Sequence, residues 1–157
     1  MIERLIVRFL EWFVQYLPMR LMPRGELPYA ERFFICGRDG EQKAWGFLAK
    51  LRPVFIHHFL GVDDDRYHNH PYEWAVSFIL AFGYVELRIE RSPGGLGSRA
   101  TSKVYRFGKV NVIRANTYHK IIAADAWTLF IAGPKTQSWG FLDSKGRYVN
   151  ASGGVST

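Results

Sequence analysis

The chain has one cysteine among its 157 residues, Cys36, which is too few for a disulfide within the chain. Proteins of this size that lack disulfides fit a reducing compartment, so the sequence predicts a cytoplasmic protein. The chain also lacks a long uncharged apolar run, because Glu3, Arg4, Arg8 and Glu11 interrupt its first twenty residues. These charges argue against a secretory signal and against a transmembrane segment.

A dense run of lysine and arginine is absent too, although basic residues outnumber acidic ones by 21 to 14 and the net charge is +7. Nucleic acid, an acidic membrane surface and an anionic substrate are each compatible with that charge. Because the basic residues are scattered, we interpret the charge as a source of solubility and predict no nucleic-acid partner. Nor does the sequence contain a Ser/His/Asp or Cys/His pattern typical of a nucleophilic catalyst.

An apolar fraction of 48% predicts a folded chain, and its length favours one main domain. Residues 1–22 are predicted to form the N-terminal amphipathic helical segment. Its helix covers 2–17, where apolar positions recur every three or four residues, and ends before Pro18. These positions are Ile2, Leu5, Ile6, Phe9, Phe13 and Leu17. Such a helix could pack across the outside of the main fold, form a homodimer interface or lie on a membrane surface.

The rest of the chain predicts an all-β domain over residues 28–150, followed by a flexible tail at 151–157. From residue 32 onwards, segments rich in aromatic and β-branched residues alternate with Gly/Pro turns, which is typical of a sandwich or barrel. The predicted strands are 32–37, 44–51, 54–60, 74–90, 103–107, 109–114, 119–124, 126–132 and 138–142. Asp63–Asp65 and Gly94–Gly97 are interpreted as turns.

Three histidines form the main candidate site. His68 and His70 are two residues apart, so in an extended segment their side chains point to the same face. His119 begins a second strand-like segment, and the connection from Arg91 to Lys103 allows the chain to double back towards the pair. Three imidazoles on one spot would form a facial metal site.

The alternation in 74–90 gives a prediction for the carboxylates. Odd positions there stay small or apolar, whereas even positions turn polar from Tyr84 onwards, so the odd face is predicted to line the interior. The histidine pair is even-numbered, and a kink at Pro71 would bring it to that interior. With this shift Glu73 falls inside and Glu86 outside, so Glu73 is the preferred carboxylate ligand.

These residues resemble the cupin superfamily. Its first motif corresponds here to Gly61, six residues, His68-Asn69-His70, Glu73 and Gly83, with a longer spacer and an earlier glutamate. Its second motif corresponds to Gly108, five residues, Arg114-Ala115-Asn116, two residues and His119, with arginine and asparagine replacing proline and glycine. The H-x-H-P run and Trp139-Gly140-Phe141 look more narrowly like small bacterial and phage cupin-like proteins, a similarity that names no reaction.

The resemblance implies a cupin-like jelly-roll β-barrel, or double-stranded β-helix, with one divalent transition metal on His68, His70 and His119, and with Glu73 as a further ligand. Fe(II) is favoured, and Mn, Ni, Cu or Zn are alternatives. It implies a small-molecule substrate in the barrel mouth, with dioxygenase chemistry first and isomerisation or hydrolysis next. Glu73 could instead act as a general base. A metal-free ligand-binding module and an interaction protein that uses its helix are the two rival functions.

Several other polar residues are further candidates for the site, with less support from the sequence. Tyr118 is a candidate catalytic residue, and with Tyr84, Arg106 and Arg114 it could orient a substrate. Of His57 and His58, which are adjacent in a predicted strand, at most one can face the interior.

Overall fold

The computed structural model describes residues 1–24, 27–39, 41–62, 66–91, 98–123 and 125–151. Its elements are a helix α1 (Ile2–Val14), a short 3-10 helix (Gly46–Lys50) and strands β1 (Met19–Arg24), β2 (Leu27–Cys36), β3 (Arg38–Asp39), β4 (Gln42–Lys43), β5 (Val54–Phe59), β6 (Trp74–Ala81), β7 (Gly83–Arg91), β8 (Ser98–Arg106), β9 (Val110–Arg114), β10 (Thr117–Ala123), β11 (Ala126–Ala132), β12 (Gly140–Leu142) and β13 (Tyr148–Asn150). The predicted turns at 63–65 and 94–97, and the tail beyond Ala151, lie outside the described residues.

Two antiparallel sheets dominate the architecture. One has six strands in the order β1-β2-β5-β11-β6-β9, and the other has three in the order β10-β7-β8. Apolar side chains from both sheets form a common buried cluster, which includes Phe59 and Ile79 from the first sheet and Tyr84 and Ile121 from the second. This arrangement confirms the all-β prediction, with a single N-terminal α-helix among the described residues.

The predicted strand 74–90 is two strands in different sheets. It breaks at Phe82, whose φ is 59°, and Gly83, whose φ is 158°. In β6 the odd positions are buried, as predicted, but in β7 Tyr84 and Glu86 are buried instead. A side chain at Gly83 would place its Cβ only 2.2 Å from the Tyr105 carbonyl oxygen, so the crossing requires glycine.

Helix α1 packs on the outer face of the six-stranded sheet. Leu10 and Val14 are buried in a cluster with Phe33, Ile56 and Trp127. The helix is shorter than the predicted 2–17, because the chain turns after Val14 and enters β1 at Met19. The predicted strand 44–51 is also corrected, since residues 46–50 form the 3-10 helix.

The opposite side of α1 carries an exposed apolar stripe, formed by Ile2, Leu5, Phe9, Trp12 and Tyr16, each 54–62% exposed. Their spacing of three and four residues places them on one helical face. Within the described part of the chain, no helix combines the length and apolar character needed to cross a membrane.

Candidate metal centre

Backbone pairing brings His68 beside His119. Each residue's N–H donates to the other's carbonyl oxygen, at 3.0 and 2.9 Å, which forms an isolated antiparallel bridge. Residues directly opposite each other in such a bridge point their side chains to the same face. His70 lies on that face too, because it is two residues from His68. The structure therefore brings together the three histidines that the sequence singled out.

The rest of the His68–His70 segment is irregular, so other contacts hold it in place. Asn69 points the opposite way from the two histidines, and its Oδ1 accepts the Gly140 N–H at 2.8 Å. Its Nδ2 donates to the Ser138 carbonyl at 3.2 Å. Gln137 Nε2 donates to the His70 carbonyl at 2.7 Å. These bonds fix the pair against the 137–140 segment without a regular strand.

The three imidazoles form a compact, largely buried group. One potential ligand atom from each histidine lies within 4.8 Å of the other two. His119 is completely buried and His68 is 7% exposed. His70 Nε2 lies 2.8 Å from His119 Nε2. Burial, followed by the charges of His119 and His68, lowers the pKa of His70 well below its usual 6.5, so this ring is neutral at neutral pH.

Glu86 orients His119 from the side away from the cluster. Its carboxylate is 1% exposed, and Oε1 accepts the His119 Nδ1–H at 2.5 Å. Because an ionised carboxylate can only accept, His119 carries a proton on Nδ1. The neutral form of His119 therefore has its lone pair on Nε2, the nitrogen that faces His70. This carboxylate–histidine pairing is the kind that supports metal-ligating histidines from outside the ligand set.

Two further side chains hold the Glu86 carboxylate. Arg88 Nη2 donates to both of its oxygens, at 3.1 and 2.9 Å, and Asn111 Nδ2 donates to Oε1 at 3.0 Å. Burial raises the pKa of Glu86, but the hydrogen bond and charge of His119, with Asn111 and Arg88, lower it to about 2. Glu86 is therefore charged under all physiological conditions.

The predicted positions of the two glutamates are wrong. Glu73 is exposed, whereas Glu86 is buried next to His119. The alternation does shift after the histidine pair, but the shift lies between Glu73 and Ala75, so Tyr72 is still buried and Glu73 turns outwards. The second break at residues 82–83 then turns Glu86 inwards. Among the described residues, the group that could hold a metal contains the three histidines and no carboxylate.

Tyr118 also lies away from the centre. It alternates with the buried Thr117 and His119 on β10, so its side chain lies on the opposite face, where its ring contacts Tyr148 at a centroid distance of 6.4 Å. The predicted catalytic position of Tyr118 is therefore corrected. Arg106 and Arg114 are exposed as well.

A small cavity of about 40 Å³, partly open to solvent, adjoins the histidines. Its walls come from both sheets and include Arg32 and His57. Of the four residues that were candidates for orienting a substrate, Tyr84 alone lines the cavity. His57 is 6% exposed, while His58 points outwards and stacks on Trp127 at 4.1 Å. The prediction that at most one of this pair faces the interior is confirmed.

Sequence reasoning missed Glu86, Arg88, Asn111 and Arg32. Glu86 and Arg88 were visible as polar residues at alternate positions of a strand, but that pattern ordinarily indicates a solvent face. Arg32 interrupts an apolar strand, and the only signal it gave was this interruption.

The donor set fits a divalent transition metal. Neutral imidazole nitrogens are common ligands of iron, zinc, copper and nickel. Two nitrogens about 2.1 Å from one ion lie about 3 Å apart when they occupy neighbouring positions, which is close to the 2.8 Å between His70 and His119. His68, His70 and His119 would hold the ion, and Glu86 would support it through His119.

No protein-family model matches the chain, and no curated protein matches it in sequence. Solved structures match in fold. Fe(II)-HppE with the alternative substrate (S)-1-HPP is 12% identical, with a TM-score of 0.53 over 76% of this chain and 57% of that one. HEPD from Streptomyces albus, with 2-hydroxyethylphosphonate and Fe(II) bound, is 10% identical, with a TM-score of 0.56 over 78% and 25%. Vicilin from hazelnut, Corylus avellana, is 16% identical, with a TM-score of 0.57 over 85% and 35%. The chain thus spans little more than half of the length of HppE, and less of the other two, and what it shares with them is a cupin-like fold.

Proposed function

We propose that this protein binds one divalent transition metal, Fe(II) before Mn, Ni, Cu or Zn, on His68, His70 and His119, and acts on a small molecule in the adjoining cavity. Dioxygenase-type chemistry is the favoured class. The observation that carries the proposal is the His119–Glu86 hydrogen bond, which turns the remaining ring nitrogen of His119 towards His70. Burying a charged carboxylate is costly, and a histidine that serves only to fill the core does not require one. A carboxylate bonded to the far ring nitrogen is, however, the usual support of a metal-ligating histidine.

The surroundings of His70 favour the neutral form of its ring, which is the form that binds a metal. Burial lowers the pKa of His70, so this ring is already neutral at neutral pH and can bind a metal without first losing a proton. When bound, iron on three histidines would supply a Lewis acid and a one-electron redox couple beside open coordination positions. Two proteins of similar fold, HppE and HEPD, hold Fe(II), which supports iron as the first metal to test.

The cavity then gives the chain's own contribution to the reaction. Apolar walls, which include Ile113, Ile121 and Phe130, would exclude water from a bound substrate, while Ser77 and Tyr84 offer hydroxyl groups to orient it.

A metal-free ligand-binding module is the second candidate, and one contact favours it. The 2.8 Å separation of His70 Nε2 and His119 Nε2 also suits a direct hydrogen bond, in which His70 donates. Such a bond would satisfy both rings without an ion. The two functions differ in whether the cluster takes up metal.

Metal analysis of the purified protein, followed by anaerobic titration with Fe(II), tests the proposal. We expect about one equivalent per chain, and a His70→Ala variant that stays folded but binds at least about 100-fold more weakly, since even lost outer-sphere partners cost up to that much. His58→Ala is the matched control, because it removes a histidine that faces away from the cavity. A folded wild-type protein that takes up none of Fe(II), Mn(II), Ni(II), Cu(II) or Zn(II) would contradict the proposal and leave the metal-free module.

A further inference from the structure

Arg32 places a positive charge in the wall of the cavity beside the three histidines. It lies on β2, directly opposite His57 on β5, and both residues line the cavity with His68, His70 and His119. The Arg32 side chain is 13% exposed, and its guanidinium lies over the Phe55 ring, 4.9 Å from the centroid. Burying a guanidinium is costly unless an opposite charge and hydrogen-bond acceptors compensate it.

Compensation from within the protein is incomplete. Arg32 Nε donates to His57 Nε2 at 2.8 Å, and one terminal nitrogen, Nη1, pairs with Asp39. A guanidinium has five N–H donors. Its other terminal nitrogen, Nη2, has no hydrogen-bond partner within the described part of the chain. Since Arg32 can only donate, His57 must accept at Nε2 and therefore stays neutral in this contact. Among the described residues, Asp39 is then the one acidic group that pairs with Arg32.

The cavity itself offers no acidic group to complete that balance. Among the described residues that line it, Arg32 is the one side chain with a full charge, and no aspartate or glutamate faces it. The remaining walls are largely apolar, with Phe59, Ile113, Ile121 and Phe130 among them. In such surroundings a bound oxyanion would gain a strong charge-assisted hydrogen bond.

We propose that Arg32 is the anchor for the oxyanion, a carboxylate or a phosphoryl-type group, of the small molecule that occupies this cavity. The assignment of that molecule as a substrate rests on the proposed metal-dependent function, whereas the anion site depends on Arg32 alone. His57 acts as a positioning residue, because it holds the Arg32 side chain through Nε. Asp39 limits the available charge, so its removal should strengthen anion binding.

Calorimetric titration of the full-length protein with inorganic phosphate and with acetate tests this site. Arg32→Gln should weaken binding of at least one of the two anions about 10-fold or more, because hydrogen bonds to charged groups contribute that much. Arg32→Lys, which keeps the charge but loses the fork of donors, should lie between this variant and the wild type. Asp39→Asn should bind more tightly than the wild type, by about threefold.

The control is Arg106→Gln, which removes the same charge from an exposed position outside the cavity and should leave anion affinity unchanged. Because Asp39→Asn moves affinity in the opposite direction, a folding defect in the Arg32 variants cannot imitate the full pattern. Equal anion affinities for the wild type, Arg32→Gln and Asp39→Asn would overturn the proposal, as would a wild-type protein that binds neither anion.

Repeating the titrations after chelation, and measuring Fe(II) uptake by Arg32→Gln, separates this proposal from the metal-dependent function. The dependence of anion affinity on Arg32 should persist without metal, and Fe(II) affinity should stay within about threefold of the wild type, since Arg32 is outside the candidate ligand set. Loss of the anion effect with intact metal uptake would overturn the Arg32 assignment alone. An Arg32-dependent anion site in a protein that takes up no metal would support Arg32 and contradict the metal-dependent function.

Discussion

Replacing Glu86 by glutamine is the sharpest test of how the histidine cluster is supported. The substitution keeps the size of the side chain but replaces one carboxylate oxygen with an NH2 group, which donates. If this group takes the Oε1 position it meets His119 Nδ1–H, and if it takes the Oε2 position it meets Arg88 Nη2. Either orientation places a donor against a donor, so one hydrogen bond of the network is lost.

The pKa of Glu86 gives the size of the effect on stability. A carboxyl group with an ordinary pKa of 4.5 that is lowered to about 2 in the folded protein favours its charged form by about 3 kcal/mol. The neutral glutamine cannot gain this energy, so Glu86→Gln should lower the free energy of unfolding by about 3 kcal/mol at pH 7. Metal affinity should fall about 10- to 100-fold, because His119 loses the carboxylate that makes its ring more basic.

Urea denaturation of the metal-free protein at several pH values measures the first effect. The folded-state pKa lies below the unfolded one, so the stabilisation is complete above pH 4.5 and is lost as the pH falls towards 2. The stability difference between the wild type and Glu86→Gln should therefore shrink as the pH falls through this window. Fe(II) titration at pH 7 measures the second effect.

Glu73→Gln is the matched control, since it makes the same chemical change at an exposed glutamate. It should change neither unfolding nor metal affinity. A Glu86→Gln variant that resembles this control in both assays, or that has the same stability deficit at pH 3 as at pH 7, would refute the proposed role of Glu86. A deficit in stability with unchanged metal affinity would leave Glu86 a structural role and remove its role behind His119.

Three further predictions follow from the fold and from the sequence. Glu73→Ala and Tyr118→Phe should each have an Fe(II) affinity within about twofold of the wild type, because neither side chain lines the cavity. A loss of about 10-fold in the same titration would restore the predicted role of that residue. Gly83→Ala should lower the free energy of unfolding in urea by about 2–3 kcal/mol, since its Cβ would overlap the Tyr105 carbonyl, whereas Gly61→Ala, with open space around its Cβ, should have little effect. The homodimer remains a prediction. If the exposed stripe of α1 forms its interface, Phe9→Glu should give a monomer in analytical ultracentrifugation, whereas the control Gln15→Glu should remain a dimer. A wild-type protein that is monomeric would refute the prediction.

The sequence predicted the histidine cluster because two local rules were sufficient. Alternation placed His68 and His70 on one face, and the predicted second strand placed His119 where it could pair with them. The carboxylate prediction failed because it needed the positions of two breaks in alternation, between Glu73 and Ala75 and at Phe82-Gly83. A break placed one residue too early or too late reverses the predicted face of every side chain after it. The misplaced first break put Glu73 inside in the prediction, and the missed second break put Glu86 outside.

A second failure has a different cause, which concerns the polarity of the interior. The rule that polar faces meet solvent assumes an apolar core, but the cavity side of β7 carries Tyr84 and Glu86. Burying Glu86 is tolerable only because His119, Arg88 and Asn111 satisfy it. Those partners come from β7, β9 and β10, so no window of local sequence could reveal the network.

The middle residue of the H-x-H run explains why an irregular segment can hold two members of the cluster. A regular strand would orient His68 and His70 through a ladder of backbone bonds, yet the structure gives this segment only isolated bridges, to His119 and Phe141. Asn69 replaces part of the missing ladder, because its side-chain amide imitates a peptide group and bonds with both Gly140 and Ser138. Since alternation sends Asn69 away from the histidines, the residue that fixes the pair never competes with it for the cavity. The placement of His68 and His70 thus depends on the polar residue between them.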